Sequence, residues 1–438
     1  MILADSLNRV GGSQLRQRVA LGVASVPKWR IITSRGTVIE DSLRSSVVDR
    51  DADADLSLSL FGSRNKFFIN SGLASVSRKV FLPVGYPKST TSSYTPFIRY
   101  NIAQVSLIAL SRTLSTQAML LAVGIGQGGA LPMAAVVSWL LKDGLGHLGS
   151  ILVGTSINTK FDSDPKRFKF LSVFLGQAAN LLGILSLAKP GLFLLLTSFS
   201  SALSRVGTLA FTSSRARIYE NFATAGNLGD LMRCSQAQST LATILGTAVG
   251  VALAPLVGGD VGSILAVFAP VSAATHVFAY KAVSIIELRT LNVQRMEVVV
   301  HDWLANGTVP SVTDVAKREH FIITWPKFSV SVNPPIDSTL LEPLALERLT
   351  NESFHVRSVG SGAELFLKDS ADAHSAIKGM FEACVLCSQI SAGVPQAEIR
   401  AREIAKTEWP RFLSALPQGG WDVSVAFIDN VNSRISIS

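Results

Sequence analysis

The sequence predicts a mainly α-helical membrane protein: a six-helix membrane-type bundle followed by a small C-terminal α+β domain. Charged residues make up 16% and hydrophobic residues 48% of the 438 residues, and mean hydropathy is +0.36. An average soluble domain contains about 25% charged residues. Long uncharged runs recur through the centre of the chain and stop beyond residue 283, where charge density rises.

Residues 1–80 are predicted to be a disordered N-terminal region. The first 37 residues contain six basic residues and one acid, with serines interspersed. This composition is typical of an organelle transit peptide, and a disordered basic arm is the alternative. Residues 40–55 are acidic and are interpreted as a linker. The expected location is therefore a membrane, of a plastid or mitochondrion or otherwise of the endomembrane system.

Residues 81–282 hold six apolar runs near or above the roughly 20 residues that a spanning helix needs. The runs are Tyr94–Ser111, Thr116–Leu141, Phe170–Ala188, Gly191–Ser214, Cys234–Gly259 and Val261–Tyr280. Many carry Gly, Ala, Ser and Thr, which let membrane helices approach closely. Buried helices of a soluble bundle are the alternative. They should show a polar stripe with helical period, which we do not find in these runs.

The connections between the runs predict an orientation. Two long connections, Lys142–Lys169 and Arg215–Arg233, contain more basic than acidic residues. The other three, Arg112–Ser115, Lys189–Pro190 and Gly258–Asp260, are short turns. Basic loops favour the cytoplasmic side. The long connections and both ends of the bundle are therefore expected to face the cytoplasm, or the stroma or matrix of an organelle.

The C-terminal third is predicted to be a connector, residues 283–335, and a small soluble α+β domain, residues 336–438. The expected elements are a hairpin within Phe354–Leu367, helices at Ala371–Ile390 and Pro395–Leu416, and a strand at Trp421–Ile428. Alternating apolar residues indicate the strands. Cys384 and Cys387 form a lone C-x-x-C within a helical stretch. A zinc site would need a second ligand pair, so we interpret them as buried thiols.

Composition and motifs also exclude several classes of function. The formal net charge is +9, but the basic residues are scattered without interleaved aromatic residues, so no nucleic-acid partner is predicted. Basic loops facing an anionic lipid leaflet account for the charge. No Ser/His/Asp set, metal cluster or phosphate loop emerges. We therefore predict no enzyme activity, no catalytic residue, no metal and no cofactor.

Arg205 is the most unusual polar residue, because it is the only charge in the fourth apolar run. A charge within a membrane is costly and indicates a binding site or a buried pair. The partner is expected to be a backbone carbonyl, a small anionic ligand or Asp230.

Further candidate residues lie at the ends of the runs. Lys142, Asp143, Gly144 and Gly146 follow the second run, where a structural loop lock is favoured over substrate contact. Asn227 lies with Asp230 before the fifth run, and both are natural turn and cap residues.

Five short motifs carry a family resemblance. They are Phe81–Pro87, Thr116–Ala118, Trp139–Gly146, Phe161–Asp162 with Lys166–Arg167, and Asn227–Asp230. In this order and spacing they resemble the root UVB sensitive family, although Arg99 and Ser138 depart from its usual residues. Gln117 becomes a candidate residue through the second motif.

The resemblance implies a eukaryotic membrane-associated protein with links to the ultraviolet-B response, auxin transport and vitamin B6 homeostasis. It also implies partnership with another family member. The family offers no established catalytic residue to carry over.

A second resemblance concerns the fold. The glycine-rich loop after the second run, Arg205 with Gly207, and Gly246 with Gly250 are placed as in one six-helix half of a major facilitator transporter. This is analogy, and a carrier built from one half would act as an oligomer.

The leading hypothesis is a non-enzymatic integral membrane protein with a regulatory or interaction role. Its expected partners are membrane lipid and either another family member or a second copy. The alternative is an oligomeric small-molecule carrier in which Arg205 faces an anionic ligand.

Overall fold

The computed structural model describes residues 31–32, 38–39, 78–124, 137, 139–144, 147, 163–322, 326–335, 352–428 and 434–435. The chain divides into two compact units, residues 1–72 and 73–438. In the first unit, β1 (Ile31–Ile32) pairs antiparallel with β2 (Val38–Ile39). All elements below belong to the second unit.

Five long helices dominate the second unit. They are α1 (Tyr94–Ala122), α2 (Pro165–Ala188), α3 (Phe193–Phe222), α4 (Leu228–Val257) and α5 (Val261–Ser284). At a rise of about 1.5 Å per residue each is longer than the roughly 30 Å hydrocarbon core of a bilayer. Within the described residues these five helices are long and apolar enough to cross a membrane. The prediction of a helical, membrane-type central region is confirmed to that extent.

The first two helices are parallel, since Lys169 near the start of α2 bonds Asn101 near the start of α1 and Ile184 near the end of α2 packs with Ala118. From α2 onward, consecutive helices run in opposite directions. Tyr94 at the start of α1 packs with Phe222 at the end of α3 and Leu231 near the start of α4 in one buried cluster. A second cluster joins the other ends, with Ala118 of α1 beside Ile264 of α5. The short turns predicted at Lys189–Pro190 and Gly258–Asp260 therefore lie between antiparallel neighbours. We call the end that holds Tyr94 and Phe222 the proximal end.

The helices are longer than the sequence prediction, and one predicted turn is wrong. No turn occurs at Arg112–Ser115, because α1 continues to Ala122. That stretch contains no Gly or Pro to end a helix. Most of the predicted loop Arg215–Arg233 is also helical, since α3 ends at Phe222 and α4 begins at Leu228. Residues 125–136, the centre of the predicted second span, lie outside the described residues, whereas residues 139–144 are helical.

The rest of the unit is an α+β domain. Its elements are β3 (Thr290–Asn292), α6 (Val293–Asn306), α7 (Val312–Arg318), β4 (Val330–Val332), β5 (Phe354–Val359), β6 (Gly362–Leu367), α8 (Ala373–Ser391), α9 (Ala397–Gln418) and β7 (Asp422–Phe427). β5 and β6 form the predicted hairpin, with β4 added in parallel to β6. β3 pairs in parallel with β7. The predicted helices and final strand are confirmed as α8, α9 and β7.

The core of this domain extends into the predicted connector. Met296, Val299 and Trp303 of α6 share one buried cluster with α8 and α9. The two cysteines of the C-x-x-C, Cys384 and Cys387, are unoxidised and buried in that core. Burial raises the pKa of both thiols. The interpretation as buried thiols is confirmed, because a raised pKa disfavours the reactive thiolate.

Glu297 on α6 should make the stability of this domain fall as pH rises. Burial raises the pKa of its carboxyl from 4.5 to about 7, although the backbone N–H of Lys327 donates to it at 2.9 Å. Between pH 4.5 and about 7 the carboxyl is ionised in the unfolded chain but keeps its proton in the folded domain. The free energy of unfolding therefore falls as pH rises through this range. The full shift corresponds to about 3 kcal/mol.

The test compares thermal melting of detergent-solubilised protein at pH 5 and pH 8. The wild type should lose about 3 kcal/mol more stability across this range than Glu297→Gln. Glu403→Gln, at an exposed position of α9, should retain the wild-type pH dependence. An unchanged pH dependence in Glu297→Gln would contradict the prediction.

Candidate functional site

Two of the sequence-predicted residues hold the chain that precedes α1. Asp230 in the first turn of α4 accepts the backbone N–H of Val84 at 2.6 Å and the guanidinium of Arg233 at 2.8 Å. Asn227 donates to the carbonyl oxygen of Ser89 at 3.2 Å. Asp230 is thus not the partner suggested for Arg205. Two of the motifs that carry the resemblance, Phe81–Pro87 and Asn227–Asp230, lie against each other.

The glycine-rich segment after the predicted second run makes local contacts. Lys142 donates to the carboxylate of Asp143 at 3.0 Å, and its ammonium lies 4.5 Å from the ring centroid of Trp139. Gly144 has open space around it, and Gly146 lies outside the described residues. Among the described residues, no hydrogen bond or ion pair joins Lys142 or Asp143 to Arg205 or Asn227.

A large cavity lies between α1, α2, α3 and α4 and is open on the side where its lining residues Thr243, Thr247 and Val251 of α4 are exposed. Its volume is about 760 Å³, within the range of about 300–1,000 Å³ that is typical of ligand sites. The wall is apolar with hydroxyl and amide groups from every helix, among them Gln104, Gln117, Ser172, Ser204 and Thr247. An apolar wall with a few polar groups is typical of a small-molecule site.

Arg112 is the charged residue in the described part of the cavity wall, and no carboxylate is among those lining residues. It stands 18 positions after Tyr94, and Arg205 on α3 stands 17 positions before Phe222. Both arginines therefore lie about 26 Å from the proximal end. A cation at this depth without a carboxylate in the same cavity favours an anionic ligand.

Arg205 itself is beside the cavity wall formed by Ser204 and Thr208. Its Nε is buried without a hydrogen-bond partner among the described residues. The predicted role in binding an anion stays a prediction.

Gln117 links α1 to the far end of α4. Its side-chain amide donates to the carbonyl oxygens of Ala254 at 3.1 Å and Gly258 at 2.8 Å. Its Oε1 is buried and unpaired within the described structure, as is Oε1 of Gln104 near the other end of the cavity. Buried polar atoms without a partner are uncommon, and both residues line the cavity. They are candidate hydrogen-bonding groups for a ligand.

Sequence reasoning missed Arg112, Lys169 and Arg215, because it assigned each of them to a connection between spans. The signal that could have identified Arg112 is its spacing from two other polar residues of α1. Gln104 follows Asn101 by three residues and Arg112 follows Gln104 by eight, which places them on one helix face.

A buried ion cluster joins the bundle to the α+β domain near the proximal end. The carboxylate of Glu319 accepts Lys166 of α2 at 2.6 Å and the Nε of Arg295 of α6 at 3.0 Å. All three side chains are at most 3% exposed. Burial raises the pKa of Glu319, but the two cations outweigh burial and the net shift is downward. The triad therefore contains a carboxylate between two fixed cations, a structural clamp rather than an open site.

Comparison with known proteins supplies a family. Residues 69–307 match the profile of a domain described as "Vitamin B6 photo-protection and homoeostasis domain". Similar proteins include root UVB sensitive 2, chloroplastic, of Arabidopsis thaliana, which is 28% identical over 81% of this chain and 84% of its own length. RUS family member 1 of Dictyostelium discoideum is 25% identical over 65% of this chain and 54% of its own length. No solved structure matches the chain.

Proposed function

Because the chain belongs to the root UVB sensitive family, we propose that it is a membrane protein that binds a vitamin B6 vitamer in the cavity of its bundle. The observation that carries the proposal is the cavity itself, with Arg112 in its wall and no carboxylate among its described lining residues. The family description names vitamin B6. Phosphorylated vitamers are small ring compounds with an anionic group, which this lining suits.

We further propose that binding serves transport. A carrier of this kind has its site near the middle of the membrane, between helices that rearrange. Arg112 and Arg205 lie about 26 Å from the proximal end of helices of 29 and 30 residues, which would put the cavity at such a depth. This proposal includes a sixth span, to which residues 139–144 would belong, and an arrangement like half of a major facilitator transporter. Two copies, or this chain with another family member, would then complete the carrier.

Filling the cavity should abolish binding. Gly176 lines the cavity and has open space where a side chain would start. Gly176→Leu should therefore weaken binding at least tenfold without a clash in the bundle. Arg112→Gln should weaken binding of an anionic vitamer by about tenfold, the usual value of a charge-assisted hydrogen bond. The measurement is equilibrium binding of pyridoxine and pyridoxine 5′-phosphate to the full chain in phosphatidylcholine nanodiscs.

Gly229→Leu is the matched control, because Gly229 is also helical with open space but does not line the cavity. It should bind as the wild type does. If Gly176→Leu bound a vitamer as tightly as the wild type does, the cavity would not be the binding site. If the wild type bound neither vitamer, vitamin B6 would not be the ligand. Uptake of a bound vitamer into proteoliposomes would support the carrier.

A non-enzymatic regulatory or interaction role is the second candidate function. The buried triad favours it, because Glu319 fixes the α+β domain to the bundle and so gives a partner one defined surface. Binding without uptake would support this role. We propose a plastid membrane as the location, since one relative carries "chloroplastic" in its name.

A further inference from the structure

Lys169 is a buried cation at the proximal end of the cavity. It lies one turn before Ser172 and Val173, which line the cavity from the same face of α2. The side chain is 2% exposed. Its ammonium donates to Oδ1 of Asn101 at 2.9 Å, and within the described residues no carboxylate accepts from it. A buried ammonium that has one neutral acceptor is incompletely satisfied.

Arg215 is the second cation at this place. Its guanidinium donates to Oε1 of Gln236 at 3.1 Å and to the carbonyl oxygen of Met232 at 3.2 Å. Both acceptors are neutral, and Nε is buried without a partner in the described structure. Arg215 lies one turn beyond Phe211 on the cavity-facing side of α3.

Aromatic rings contact both cations: Phe97 and Phe211 lie against Lys169, and Phe211 and Tyr219 against Arg215. The centroid of the Phe211 ring lies 5.1 Å from Nζ of Lys169 and 5.9 Å from Cζ of Arg215, and the same ring lines the cavity. Gln104, which is 3% exposed, has its unpaired Oε1 in the same wall, one turn from Asn101. The ring of Phe211 therefore lies in contact with the cavity and with both cations.

The charges at this end point to a particular ligand chemistry. Arg215 supplies one positive charge and Lys169 a second when it is protonated, and their described hydrogen-bond acceptors are all neutral. A carboxylate would neutralise one of these charges, whereas a phosphate monoester carries a charge of about −1.5 to −2 at neutral pH and offers three acceptor oxygens. Arginine also matches phosphate with a planar fork of donors.

We propose that Lys169 and Arg215 form a phosphate-monoester subsite at the proximal end of the cavity, with the rest of the ligand lying in the cavity beyond Phe211. The inference rests on the proposed function for the identity of the vitamer but not for the chemistry of the subsite. The phosphate could belong to a soluble ligand or to the headgroup of phosphatidic acid, and the test separates these sources.

The experiment measures dissociation constants for two ligand pairs that differ in a phosphate. The pairs are pyridoxine 5′-phosphate with pyridoxine and phenyl phosphate with phenol, each with the full chain in phosphatidylcholine nanodiscs. The phosphorylated member of at least one pair should bind at least tenfold more tightly. Lys169→Met and Arg215→Gln should each remove this preference, and Lys169→Arg should keep it.

Lys281→Gln is the matched control, because Lys281 is an exposed cation in the last turn of α5 at the same end. It should keep the wild-type preference. If Lys169→Met does not fold, Arg215→Gln and Lys169→Arg still decide the question. A final measurement adds phosphatidic acid to the nanodisc. If this lipid weakens binding of phenyl phosphate to the wild type but not to Arg215→Gln, the lipid headgroup is the source of the phosphate.

The outcomes separate the two proposals. Equal affinities within both pairs, or a preference that survives in both Lys169→Met and Arg215→Gln, would overturn the phosphate subsite. If pyridoxine still bound and Gly176→Leu blocked it, the proposed function would stand without the subsite. If neither vitamer bound but phenyl phosphate showed the Lys169-dependent preference, the subsite would stand without vitamin B6.

Discussion

Glu319→Ala is expected to cause a large loss of stability, because it leaves the buried cations Lys166 and Arg295 without their shared carboxylate. Removing one partner of a buried ion pair typically costs about 3–5 kcal/mol, since the remaining charge is uncompensated. For a chain of this size that corresponds to a fall of about 5–10 °C in melting temperature. The measurement is thermal melting of the detergent-solubilised protein, followed by size-exclusion chromatography.

Asp302→Ala supplies the comparison. The Asp302 carboxylate pairs with Arg318 at 2.6 Å, but the arginine side chain is 44% exposed. An exposed pair contributes about 0–1 kcal/mol, so this variant should melt within about 2 °C of the wild type. Replacing Lys166, Arg295 and Glu319 together with apolar residues of similar size should recover much of the loss. If Glu319→Ala and Asp302→Ala had similar melting temperatures, the buried triad would not be a clamp between the bundle and the α+β domain.

The α+β domain was predictable where its pattern is local. The alternating residues of Phe354–Leu367 contain Gly360 at the turn, where φ is +58°, and glycine adopts this conformation readily. The long helices α8 and α9 repeat apolar residues with a helical period. The role of the predicted connector was not predictable in this way. Glu319 meets Lys166 across 153 positions of sequence, and no local pattern encodes such a pair.

The same distinction holds for the bundle. Composition was sufficient to predict apolar spans, since membrane insertion depends on the summed transfer energy of about 20 residues. Composition was not sufficient to predict the function of a single charge within a span, because an arginine such as Arg112 is equally compatible with a turn and with a cavity wall. Arg205 was recognised as a charge within a span because long uncharged segments of the fourth apolar run precede and follow it. Arg112 stood at the junction of two runs, and a turn was assigned there on the charge alone.

Gly246→Ala is expected to separate α1 from α4. A Cβ atom at Gly246 would overlap the backbone carbonyl of Ser106 and lie 2.9 Å from Cβ of Ala109. A backbone carbonyl cannot rotate away, so the helices must move apart. One turn further on, a Cβ atom at Gly250 would lie 2.7 Å from Cβ of Thr113, which makes the contact continuous. Overpacking at such a site costs about 3 kcal/mol, and the melting temperature should fall by about 5–10 °C.

Gly229→Ala is the matched control, because it makes the same substitution in the same helix at a position with open space. Alanine favours the helix over glycine by about 1 kcal/mol, so Gly229→Ala should melt at or above the wild-type temperature. Separation of α1 from α4 should also break the hydrogen bonds from Gln117 to Ala254 and Gly258 and widen the cavity between them. Gly246→Ala should therefore lose vitamer binding together with stability. If the two alanine variants had equal melting temperatures, α1 and α4 would not be in close contact at Gly246. The position of the cavity wall that these two helices form would then be wrong.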